Sequence, residues 1–79
     1  MGDKSGNKDA IALLAKNLKK YRSSSGLSLR QLATASELSL SQVARVEQGD
    51  INTSVSTIWE LAKGLSIPPS KLLEIPDEH

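Results

Sequence analysis

Residues 39–49 read SLSQVARVEQG, and the way this stretch folds decides how the rest of the chain is read. On a 3.6-residue period Val43, Val46 and Glu47 share one side of a helix, while Leu40, Ser41, Ala44, Arg45 and Gln48 share the other. The outward side is built of short, mostly neutral groups around one arginine. The inward side carries a glutamate, which is costly to bury unless another charge meets it.

Working outward, the same signature recurs. Ser28-Leu29-Arg30-Gln31 and Ser39-Leu40-Ser41-Gln42 are each a serine with a glutamine three residues on, the capping-box pattern that starts a helix. They place helix 2 at about 29–36 and helix 3 at about 40–48, with only Glu37 and Leu38 between them. So short a connection forces the two helices to a steep angle. Before them, Ile11, Leu14, Ala15, Leu18 and Arg22 recur at helical steps, with Lys16, Lys19 and Lys20 off the stripe, giving helix 1 from about 10 to 24, closed near Gly26. After Gly49, Asp50–Val55 is a polar loop broken by Ile51, and Ser54 caps helix 4, about 55–65, with Ile58, Leu61, Ala62 and Leu65 inward. Ile67-Pro68-Pro69 ends it, and Ser70–Glu74 is expected to form a short helix 5 that Pro76 stops. Residues 1–8 read as a flexible arm, 9–75 as one domain and 76–79 as a tail. No segment alternates with period two, so the fold class is all-α, five helices around one core.

Composition narrows the function. The chain has 79 residues, no cysteine and one histidine, His79, at its last position. This length holds one small core with little room for a deep cleft. Disulfides and thiolate metal sites are excluded, no glycine-rich phosphate loop is present, and Glu37, Glu47, Asp50, Glu60 and Glu74 form no converging pair. An enzyme is therefore not expected, nor a cofactor or metal. The polar start and the lack of any run of about 20 apolar residues predict a soluble protein of the cytoplasm with no membrane partner. Net charge is +1, yet residues 1–36 carry seven Lys and Arg against two acids, a net +5, and residues 37–79 carry three against seven, a net −4. That asymmetry predicts a basic face.

A capped helix, a tight turn and a second capped helix with an outward polar face suit the major groove of DNA. Gly26-Leu27-Ser28 through Leu32-Ala33, then Ser39 and SQVARVEQG, followed by STIWELAKGLSI, resemble the phage repressor/Cro-like (XRE) helix-turn-helix regulators over roughly residues 11–74. The resemblance implies a five-helix, lambda-repressor-like fold, docking of helix 3 in the major groove, and a homodimer on a palindromic double-stranded operator. It puts base-reading positions at Leu40, Ser41, Gln42, Ala44 and Arg45. It puts phosphate-contacting positions at Ser28, Leu29, Ser39, Asn52 and Thr53. Arg30 and Lys19 join these from charge alone; of Lys16, Lys19, Lys20 and Arg30, one or two are expected to approach phosphates. Two positions depart from the family pattern, which has glutamine at Leu29 and a polar residue at Leu40. Leu40 either meets a thymine methyl or packs beside Leu38. The hydroxyls and amides at 52–54 serve equally as turn-formers and caps.

Arg45 matches the bidentate pairing with guanine O6 and N7. Arg22, at the end of the helix 1 stripe, and Glu47, inward on helix 3, point at one interior and are expected to pair; the resemblance implies the same pair. Trp59, with Ile67, Leu72, Leu73 and Ile75, exceeds what the core absorbs and predicts a dimer surface at helix 5 and the end of helix 4. The rival function is an antitoxin or bridging module whose partner is a protein, favoured by the low net charge and the departures at Leu29 and Leu40.

Overall fold

A computed structural model describes residues 7–76. The arm residues 1–6, the last three tail residues and His79 among them lie outside the described residues. Four α-helices follow in order: α1 Lys8–Ser25, α2 Leu29–Ser36, α3 Leu40–Gln48 and α4 Val55–Leu65, then a 3-10 turn, Pro69–Leu73. The fold class is all-α, as the periodicities required.

Helix α1 starts earlier than its apolar stripe suggests. Asn7 Oδ1 accepts from the Ala10 N–H at 3.0 Å, so Asn7 and Lys8, read as arm, are the cap and first residue of the helix. Its far end closes at Gly26, whose φ of 74° lets its own N–H reach Ser23 O and the Leu27 N–H reach Arg22 O. The expected short helix 5 is a 3-10 helix, Pro69–Leu73, one residue earlier than Ser70–Glu74. Pro68 and Pro69 supply no N–H, and Glu74 is already extended at φ −71°, ψ 130°, so only one tight turn fits between the prolines.

The core is Leu14, Leu18, Leu32, Ala33, Val43, Val46, Leu61, Ala62, Leu65 and Leu72. Helices α2 and α4 share the most extensive packing and approach closely at Gly64, where an added Cβ would stand 2.2 Å from Ser36 Oγ and 3.1 Å from the Ser36 backbone nitrogen. Helix α1 crosses behind them and packs on α3 and on the 3-10 turn. Asn17, 4% exposed, donates both amide hydrogens, to Leu72 O and Glu74 O, each at 2.9 Å. That clamp draws Leu72 fully into the core. Leu72 is thus a core residue and Ile67 packs half-buried against the core, so neither belongs to the outer surface to which the sequence assigned them.

Candidate nucleic-acid interface

The unit formed by α2 and α3 is set by its ends. At the start of α2 the capping box closes: the Gln31 N–H donates to Ser28 Oγ at 3.0 Å, and the Ser28 N–H donates to Gln31 Oε1 at 2.8 Å. At its end Glu37 takes a left-handed backbone, φ 59°, ψ 38°, while the Leu38 N–H bonds Ala33 O at 3.0 Å. The chain thereby turns from α2 into α3 within three residues. Ser39 then caps α3 by accepting from the Gln42 N–H at 3.0 Å.

The second box does not close. Gln42 Nε2 instead donates to Thr57 Oγ1 on α4 at 3.4 Å, and Thr57 Oγ1 also receives the Ser54 hydroxyl at 3.0 Å. The half-closed box corrects the symmetric reading of the two Ser-x-x-Gln motifs. Its cause is position: Gln42 stands beside the start of α4, where a hydroxyl competes for its amide.

Behind α3 the inward glutamate finds its partner. Arg22 Nε donates to Glu47 Oε2 at 2.6 Å and Nη2 to Oε1 at 2.9 Å, while Nη1 donates to Leu27 O at 2.9 Å. All three guanidinium nitrogens donate, and the Glu47 side chain is 7% exposed. The hydrogen bond to Glu47 raises the Arg22 pKa above the ordinary arginine value, outweighing the opposing loss of hydration, and the carboxylate's charge adds to it. The guanidinium stays charged. The pair ties α1 to α3 and so fixes the attitude of the outward face.

On that face Ser41, Arg45 and Gln48 are exposed and Ala44 is half-buried. Leu40 and Gln42 mark its two margins: Leu40 is 37% exposed, and Gln42 is half-buried against α4. Ser28, Arg30, Ser39 and Asn52 are exposed, as are Lys16, Lys19 and Lys20 on α1. Two positions assigned to phosphate contact differ in kind. Leu29 packs against the core, and the Thr53 hydroxyl is covered, with no hydrogen-bond partner. Among the described residues no group of His, Asp and Glu is arranged to hold a metal, and no helix is long and apolar enough to cross a membrane.

Sequence reasoning passed over three residues. Asn17 interrupts an apolar stripe and so counts against itself, yet it is buried. Thr57 has no signal beyond its place three residues after the Ser54 cap. Val55, 79% exposed, lies one turn before Trp59, 56% exposed, and an i, i+4 apolar pair facing outward was the available sign.

The helix-turn-helix family model matches residues 18–72, and the chain belongs to this family of DNA-binding transcription regulators. Among relatives, the HTH-type transcriptional regulator SutR of Escherichia coli K12 is 33% identical over 63 residues, a match covering 80% of this chain and 35% of SutR. The chain therefore corresponds to about a third of that protein. The control protein C.SmaI of Serratia marcescens is 38% identical over 65 residues, covering 82% of this chain and 77% of the relative. Among solved structures, the restriction-modification controller protein C.AhdI of Aeromonas hydrophila superposes with a TM-score of 0.76 at 37% identity, over 78% of this chain and 94% of that one.

Proposed function

We propose that this chain is a sequence-specific regulator of transcription that docks α3 in the major groove of double-stranded DNA, with Arg45 and Ser41 at the centre of the reading face. The observation that carries this reading is the outward pair Ser41 and Arg45 on a short helix whose angle is fixed from behind by the Arg22–Glu47 fork. Leu40, Gln42 and Ala44 complete the reading set. Ser28, Arg30, Ser39, Asn52 and Lys19 contact phosphates and set the register. Leu29 contributes packing, and Thr53 contributes through its main chain, since its hydroxyl is covered.

The working unit is a homodimer on a palindromic operator, because one short helix reaches few bases and two half-sites a helical turn apart double them. Its surface is the exposed apolar set Val55, Trp59, Leu73 and Ile75. The protein acts in the cytoplasm, and the control proteins among its relatives suggest a restriction-modification setting. The rival is an antitoxin-like or bridging module, favoured by one observation: Leu29 is spent on the core where a phosphate-binding side chain is expected. Selecting duplexes from a random pool, then measuring affinity at about 50 and 200 mM salt, separates the two. A DNA reader yields a two-fold symmetric site and loses affinity steeply with salt. A protein-binding module yields no site at either concentration.

A further inference from the structure

The chain contains two Ser-x-x-Gln motifs with one local chemistry and two outcomes. Gln31 spends its carbonyl oxygen on the Ser28 N–H. Gln42, at the margin of the reading face, does not close its box; one amide hydrogen goes to Thr57 Oγ1, and Thr57 Oγ1 is itself held by the Ser54 hydroxyl at 3.0 Å. Helix α3 packs mainly on α1 and α2. Among the described residues this is the side-chain hydrogen bond that joins the reading helix to α4. A glutamine has three rotatable side-chain torsions, and an exposed one loses that freedom on binding. One anchored amide hydrogen removes much of the loss beforehand.

We propose that Thr57 is a specificity-positioning residue: it holds the Gln42 carboxamide with its oxygen and second N–H free for one base edge, and the base that fits is adenine. The match is chemical. Adenine presents an N6 donor and an N7 acceptor in the major groove, and a glutamine amide meets both, oxygen to N6–H and N–H to N7. The nitrogen can serve Thr57 and N7 together because it carries two hydrogens. Thr57 touches no base; it acts through Gln42. This inference rests on the reading of α3 as the base-reading helix.

The test uses the full chain and an operator duplex taken from random-pool selection, with each position varied and each adenine replaced in turn by 7-deazaadenine, which lacks N7. Wild type should prefer adenine at one position of each half-site by roughly tenfold, and Gln42→Ala should abolish that preference. Thr57→Val should reduce it at least about threefold, Thr57→Ser should retain it, and the guanine preference attributed to Arg45 should persist in all of them. The α4 cap is made by the Thr57 main-chain N–H, so Thr57→Val keeps it, and melting should move by no more than about 4 °C. An unchanged adenine preference in Thr57→Val or in Gln42→Ala, with the Arg45 preference present, overturns the positioning role alone. A wild-type protein with no preferred sequence overturns it together with the reading on which it rests.

Discussion

At the scale of single residues, the Arg22–Glu47 fork is where sequence, structure and function meet most tightly. Both partners are short of water, but unequally: the side chains are 18% and 7% exposed. Arg22→Ala leaves a carboxylate orphaned in the less hydrated site and should cost about 3–5 kcal/mol. Glu47→Ala leaves an arginine that keeps Leu27 O and some solvent, and should cost less, about 2–3 kcal/mol. Thermal melts of both variants and of the double variant check the order, and near-wild-type melting of either single variant would show that the pair is solvated. This pair was legible because two charges on two apolar stripes have one inexpensive resolution. Asn17 was not, because nothing local announces that a polar side chain on the stripe will meet two carbonyls more than fifty residues away.

At the scale of elements, the helices and turns obey local chemistry wherever the chain supplies its own partners. Caps at Ser28, Ser39 and Ser54 start α2, α3 and α4, and left-handed closures at Gly26 and Gly49 end α1 and α3, where the sequence alone puts them. It fails where a partner comes from elsewhere. Gln42 prefers a hydroxyl on α4 to its own box, and Leu72 is taken inward by the Asn17 clamp. The turn of the helix-turn-helix carries strain, since Glu37 sits at φ 59° with a side chain that disfavours it. Glu37→Gly should therefore raise stability by up to about 1 kcal/mol, the relief of that strain less the added freedom of the unfolded glycine, as urea denaturation would show. Where α2 meets α4 the opposite holds. Gly64→Ala gains about 1 kcal/mol of helix propensity, but its Cβ would overlap Ser36 Oγ. Overpacking of that kind costs about 1–3 kcal/mol, so the net effect should be destabilising. Adding Ser36→Ala should restore part of the loss, because it removes the overlapping atom and a buried hydroxyl that has no partner. Additivity of the two changes would place the clash elsewhere.

At the scale of the whole molecule, a basic α1, a braced α3 and an apolar outer set are the three surfaces on which the proposed function rests. Val55, Trp59, Leu73 and Ile75 leave apolar area exposed that the core does not need, and Trp59→Glu should leave the monomer folded while weakening both self-association and operator affinity. Sedimentation showing monomer alone at high micromolar concentration, with and without operator, would remove the dimer from the proposal. Lys19→Ala, in contrast, should weaken all duplexes about equally and flatten the salt dependence, as a phosphate contact does. Base reading by α3 is tested most directly at Arg45, which is exposed and carries no part of the core. In Arg45→Ala, measured by competition between the selected operator and random duplex, melting should stay close to wild type because alanine is the better helix former. Operator affinity should drop by roughly 1–3 kcal/mol and random-duplex affinity by much less. Equal losses on operator and random duplex would make Arg45 a phosphate clamp and contradict the assignment of SLSQVARVEQG as the segment that reads bases.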